Sequence, residues 1–225
     1  MLRPRRLILP VSALLLAAGA SQVALACPDC PSAQAARAAV WNDPSVWGYF
    51  ALLPLPFVLV GLVQMLRRNG RPDAALISAG TLLGVGLGGF SDGILFHQIL
   101  QWHNMLSSWL PPVDLITMKI NMIWDGLFHA FTWTVTLIGV VRLFRAGQNK
   151  AVPWDMSTFV GAMLGGWGMF NVIEGLVDHQ FLGIHHLRPG AGQLAWDLGF
   201  LLFGVLLIAV GRAMTSEPPQ QPLRR

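Results

Sequence analysis

The sequence predicts an all-α membrane protein with five mature transmembrane helices. Four of them are expected to form a pseudo-twofold four-helix bundle built from a tandem helix-pair repeat. Three observations carry this. Of the 225 residues, 54% are hydrophobic and only 12% charged, too apolar for a soluble domain of this length. Apolar runs long enough to cross a bilayer recur along the chain, separated by short loops that hold most of the arginines and lysines. Finally, the run Asp92-Gly93 to Trp102-His103 returns as Glu174-Gly175 to Ile184-His185. The shared pattern is acid, Gly, three residues, His-Gln, one residue, Leu, two residues, His.

Residues 1–26 read as a signal peptide. Arg3, Arg5 and Arg6 form the basic start, Leu7 to Ala20 the apolar centre, and Ala24-Leu25-Ala26 a small-residue cleavage site. Residues 27–46 are then an exported segment carrying the only cysteines, Cys27 and Cys30. A disulfide or idle dithiol is one reading of the pair; a soft-metal ligand pair is the other. No His follows directly, which excludes a c-type haem attachment site. Residues 47–71 hold the first span, Trp47 to Leu66, kinked by Pro54 and Pro56, and a cytoplasmic-type loop with Arg67, Arg68 and Arg71.

Residues 74–150 form the first bundle repeat and residues 151–213 the second. Each is a pair of spans: Ala74 to about Leu100 with Met118 to Val141, then Met156 to about Leu182 with Leu194 to Gly211. Trp124-Asp125 opens the third span as Trp196-Asp197 opens the fifth. Both pairs start inside, so the repeat is parallel, about an axis along the membrane normal. Gly84, Gly86 and Gly88 in one pair, with Gly161, Gly165 and Gly168 in the other, provide small-residue spacing for close helix contact. The proline-rich end, residues 214–225, is expected to be a disordered cytoplasmic tail.

This topology sorts the polar residues. Only Arg37, Lys119 and Arg188 among the basic residues fall on the outer side, while all six histidines do: His97, His103, His129, His179, His185 and His186. Asp92, Asp125, Glu174, Asp178 and Asp197 join them. Ionisable groups within spans are costly and mark function. One histidine alone would more simply glue or cap helices, but a cluster of this size at one end points to a shared metal site. The expected ligands are Asp92, His97, Asp125, His129, Glu174, Asp178 and His179. On a straight helix Asp92 and His103 would be about 16 Å apart. His103, His185, His186 and Asp197 are therefore expected to form an outer ring or second site unless the helix breaks. The net charge of +4 does not indicate nucleic acid, because the basic residues form no patch.

From about Ala75 to Gly211 the chain resembles a family of bacterial predicted membrane proteins, the domain-of-unknown-function family DUF2243. The runs Asp92-Gly93 to His103, Asp125-Gly126-Leu127-Phe128-His129 and Asp178-His179 to His185-His186 carry the resemblance. It implies a multi-span protein of the bacterial inner membrane and no established activity. It also brings an association with respiratory oxidases and their assembly factors as expected partners.

The residues themselves suggest a periplasm-facing site for copper, iron or zinc, used in metal handling for a partner such as an oxidase. Three alternatives stand beside it. One is a metal-dependent membrane oxidoreductase. Another is a b-type haem protein with His97 and His179 as axial ligands. The last is a proton-coupled small-solute transporter or a purely structural membrane protein. Whether the protein is an enzyme is left open at this level.

Overall fold

A computed structural model describes residues 30–43, 55–59 and 70–215. The signal peptide, Cys27, the end of the tail and all of the first span except residues 55–59 lie outside the described residues. Among the described residues every regular element is helical: α1 (Pro31–Trp41), α2 (Ala74–Asp92), α3 (Leu115–Gln148), α4 (Met156–Glu174) and α5 (Gln193–Thr215). Among the described residues, four stretches are long and apolar enough to cross a membrane: Ala74–Ile99, Leu115–Gln148, Met156–Phe181 and Gln193–Thr215.

The helices pack in the order α3, α2, α4, α5. Half of the most apolar stretch of α2 and of α4 is buried inside the protein (50% and 56%), against 17% and 22% for α3 and α5. The bundle is thus a central pair with one flanking helix on each side, and the flanking helices turn a broad apolar face outward. Glycine explains why the central pair comes so close. A Cβ on Gly84 would strike the backbone carbonyl of Met163, and a Cβ on Gly166 would strike that of Thr81. Without side chains there, the two backbones meet directly, as small residues permit in membrane helices.

The same register relates the two halves, with Ala74 matching Met156 and His97 matching His179. Helices α2 and α4 each have 19 residues, and each runs without a break into seven residues of π-helix, Gly93–Ile99 and Gly175–Phe181. A π-helical turn is wider than an α-helical one and is found mostly at functional sites. Each π-helix then stops at a leucine whose N–H donates back five residues: Leu100 to Leu95 (2.8 Å) and Leu182 to Val177 (2.7 Å). The next residue, Gln101 or Gly183, is left-handed, with φ of 50° and 58°. The chain therefore doubles back instead of leaving along the helix axis.

Helix α3 is longer than the sequence suggests, running 34 residues rather than Met118 to Val141. At about 1.5 Å per residue it is about 51 Å long, well beyond a hydrocarbon core of about 30 Å. Its start is set by Asp114, whose side chain accepts from the N–H groups of Ile116 (2.9 Å) and Thr117 (2.8 Å), while Thr117 Oγ1 accepts from the Asp114 N–H (3.2 Å). This reciprocal cap satisfies donors that a helix start otherwise leaves bare. The N–H groups it faces hold the exposed Asp114 carboxyl below its ordinary value. At the opposite end of the bundle from the π-helices, Arg71 pairs with Asp73 (2.7 Å) and donates to the Thr215 carbonyl (3.1 Å), tying the start of α2 to the end of α5.

Candidate metal centre

The reversals after Leu100 and Leu182 decide the geometry. A straight helix would carry His103 and His185 away from His97 and His179. Instead each returns into the bundle, and all four rings are buried at 1–2% exposure. His103 stacks on His185 at 4.7 Å between ring centres. His97 lies 4.5 Å from His103 and 5.9 Å from His185, and His179 lies 5.0 Å from His185 and 6.2 Å from His103. Residues expected in an outer ring and residues expected in the main site thus form one cluster, because the helix breaks.

Backbone and carboxylate partners fix which nitrogen of each ring is free. His103 Nδ1–H donates to the Leu187 carbonyl (2.8 Å), and His185 Nδ1–H donates to the Met105 carbonyl (3.0 Å). A carbonyl only accepts, so in both rings Nδ1 carries the proton and Nε2 presents a lone pair when the ring is neutral. His97 Nδ1 faces Asp125 Oδ1 (2.9 Å), and His179 Nδ1 faces Asp197 Oδ1 (3.3 Å). Asp125 thus bonds the back of the His97 ring, in the manner of carboxylates behind metal-binding histidines, whereas His179 Nδ1 lies near Asp197 without an aligned hydrogen bond.

Asp125 and Asp197 are themselves held. Asp125 accepts from Asn104 Nδ2 (2.7 Å) and from the Met105 N–H (2.8 Å). Asp197 bonds His186 Nδ1 (2.8 Å) and accepts from the Leu187 N–H (2.9 Å). Asn104 was not among the residues expected from sequence, although it matches His186 once the repeat is read one place past His103. The carbonyls of Met105 and Leu187 could not be read from side-chain chemistry at all.

On the inner side of the rings, carboxylates crowd the free nitrogens. Glu174 Oε1 lies 2.8 Å from His185 Nε2 and 2.9 Å from His179 Nε2. With Nδ1 of His185 protonated, two lone pairs face each other across 2.8 Å, which is repulsive unless a proton or a cation lies between them. Asp92 Oδ2 is 3.1 Å from His97 Nε2, yet that nitrogen has no aligned hydrogen-bond partner. Also buried and without a partner are Asp92 Oδ1, His103 Nε2, Glu174 Oε2 and Asp178 Oδ1. Buried polar atoms are nearly always satisfied, so this concentration of exceptions requires an explanation. Two sets of three donors have ligand atoms within 4.8 Å of one another, His97 with His103 and His185, and Glu174 with His179 and His185.

The remaining expected residues fall elsewhere. His129 Nδ1–H donates to the Asp125 carbonyl (2.7 Å), and its ring lies against Gly93, outside the four-ring cluster. His186 is partly exposed and bonds only the far side of Asp197. Asp178 stands beside the cluster and lines a cavity. Cys30 lies at the start of α1, with Sγ 3.3 Å from Ser32 Oγ; Cys27 is outside the described residues. In the loop after His186, Arg188 is sandwiched between Trp102 (5.2 Å) and Trp196 (5.4 Å). The two indoles also touch edge to face at 5.2 Å, joining the two halves.

Fold and site together define a multi-pass helical membrane protein with a buried cluster of imidazoles and carboxylates at one end of its bundle. The chain belongs to the predicted membrane protein family DUF2243, whose model matches residues 79–217. No curated protein and no solved structure matches it. The matched range holds every residue of the cluster and leaves Cys30 and α1 outside.

Proposed function

We propose that the protein holds a metal centre within the membrane, ligated by His97, His103, His179, His185 and Glu174, with Asp92 and Asp178 beside it. The observation that carries this reading is the set of buried, unpartnered nitrogens and oxygens facing one another in the middle of the cluster. Four imidazoles and three carboxylates exceed what one tetrahedral ion takes, which favours a pair of ions with carboxylate between them. Mixed nitrogen and oxygen donors suit iron, zinc or copper(II) and disfavour copper(I). The packing speaks against a b-type haem, since His103 and His185 each contact both His97 and His179 and fill the space a macrocycle would need.

The excess of basic residues in the opposite loops supports a site facing the periplasm of a bacterial inner membrane. Handling metal for a respiratory oxidase calls for a site that exchanges its ion. Full burial of the four rings, three of them held through Nδ1, favours a resident centre, as in a metal-dependent oxidoreductase. The pseudo-twofold relation of the two helix pairs gives such a centre one His-x5-His unit (His97 with His103, His179 with His185) from each half.

The test is elemental analysis of protein purified in lipid nanodiscs, with ions added back where needed. We expect one to two equivalents of iron, zinc or copper per chain. His97→Ala and His179→Ala should each lose nearly all of it, whereas His129→Ala and His186→Ala should keep it within about twofold, since an oriented ligand set loses affinity steeply and a remote residue does not. A wild-type protein that binds no added ion, or variants at His97 and His179 that bind normally, would overturn the proposal.

A further inference from the structure

A cavity of about 320 Å³ opens beside the cluster. That is at the small end of the range for ligand pockets, about 300–1,000 Å³. Four of its lining residues are phenylalanines. Phe57 contacts Phe131 (5.4 Å) and Phe170 (5.8 Å), and Phe170 contacts Phe128 (6.0 Å). Its buried charged members are Glu174 and Asp178, each carrying one buried oxygen with no partner. Among the described residues the other polar lining side chain, Thr134, already donates to the Ala130 carbonyl (2.8 Å). Ala130 and Thr134 are exposed and lie midway along α3, so the mouth opens on the side of the bundle, at the depth of the bilayer interior.

We infer that this cavity binds a lipid-soluble aromatic alcohol, of the phenol or hydroquinone class, whose ring lies among the phenylalanines and whose hydroxyl donates to Asp178 or Glu174. The inference goes beyond the metal reading and does not need an ion to be present. The two orphan oxygens lack a hydrogen-bond donor, which a hydroxyl-bearing ligand supplies. The aromatic walls favour a ring, through offset or edge contacts. An ammonium ligand would also donate, but it would have to cross apolar lipid as a charge to reach this mouth, which is costly. A neutral hydroxyl partitions there readily.

The experiment uses the full chain in nanodiscs. Binding of a long-chain para-alkylphenol is followed by calorimetry, beside its O-methyl ether and the alkylbenzylamine of equal length, with metal content measured on every sample. We expect saturable binding of the phenol, one per chain, at least tenfold weaker for the ether and for the amine. Ala130→Trp, which fills the mouth from an exposed position, should abolish binding and leave metal content at the wild-type level; Leu127→Trp on the same wall serves if the first variant fails to assemble. Equal binding of phenol and ether, tighter binding of the amine, or phenol binding unchanged in both filled variants would each overturn the inference. Metal bound without phenol binding sinks this inference alone, and phenol bound by a protein that takes no metal sinks the metal proposal alone.

Discussion

The first half of the bundle, Ala74–Gln148, and the second, Met156–Thr215, build the same frame with different side chains around it. At matched positions both have a buried acid (Asp92, Glu174), two histidines, an aspartate behind the first of them, and a carbonyl behind the second. The halves also differ, at three places among others. Phe96 in the first matches Asp178 in the second, Asn104 matches His186, and His129 matches Leu201. Phe96 packs on Trp102 (5.4 Å) and near Phe200 (6.5 Å), so its side of the cluster is plugged by aromatic rings. Asp178 occupies the matching place on the other side and lines the cavity. The shared geometry therefore belongs to the cluster of imidazoles and carboxylates, and the departures from it decide which face of the cluster is open. Tandem repeats that keep a frame and vary its periphery can obtain a one-sided site from a two-sided scaffold.

The comparison predicts dependence on both aspartates, Asp125 bonded to His97 and Asp197 close behind His179. Asp125→Asn and Asp197→Asn keep the side-chain shape but remove the charge that stabilises a ring N–H donor. Such partners behind metal-binding histidines are worth about 10–100-fold in metal affinity. We expect a loss of that order in each variant, measured by competition with a chelator. A loss confined to one half would show that one His pair alone holds the ion. The central contact gives a second matched pair. Gly84→Ala and Gly166→Ala each push a methyl into a backbone carbonyl of the facing helix. Overpacking of this kind costs roughly 1–3 kcal/mol. Both variants should melt at lower temperature in detergent, by similar amounts, with metal stoichiometry retained in the folded fraction. A tolerated alanine at either position would show that the two crossings are not equivalent.

Most of the architecture was legible in the sequence because a bilayer leaves few options. Apolar runs of span length, basic loops and paired glycines led to the four described spans, and the repeat of acid, His-Gln and His drew attention to the residues that the fold brings together. What the sequence did not disclose was the route of the chain after Leu100 and Leu182. Helical periodicity, continued as α-helix, put His103 and His185 a full cluster-width too far out. The π-helical turns and the reversals depend on backbone bonds such as Trp102 N–H to the Phe96 carbonyl (2.9 Å) and Ile184 N–H to the Asp178 carbonyl (3.0 Å), which no side chain announces. The roles within the site were hidden for a related reason. Asp125 and Asp197 look like ligands by type and position, and only the direction of the His97 and His179 rings puts them behind the donors instead of among them.

One signal of the reversal was present in the second half and masked in the first. Gly183 is the residue expected at a left-handed position, and its match, Gln101, adopts the same conformation with φ of 50°. A left-handed conformation costs a residue with a Cβ about 1–2 kcal/mol, whereas glycine adds about 0.5–1 kcal/mol of backbone entropy to be lost on folding. These oppose each other, so Gln101→Gly should stabilise the protein by no more than about 1 kcal/mol, and Gly183→Gln should destabilise it by about as much. Gln101 is exposed, which leaves the backbone as the dominant influence. Thermal melts of the two variants, run beside the wild type, measure the difference directly. Should Gln101→Gly prove clearly destabilising, the Gln101 side chain must hold the reversal through a contact of its own, and the two halves would then close their turns by different means.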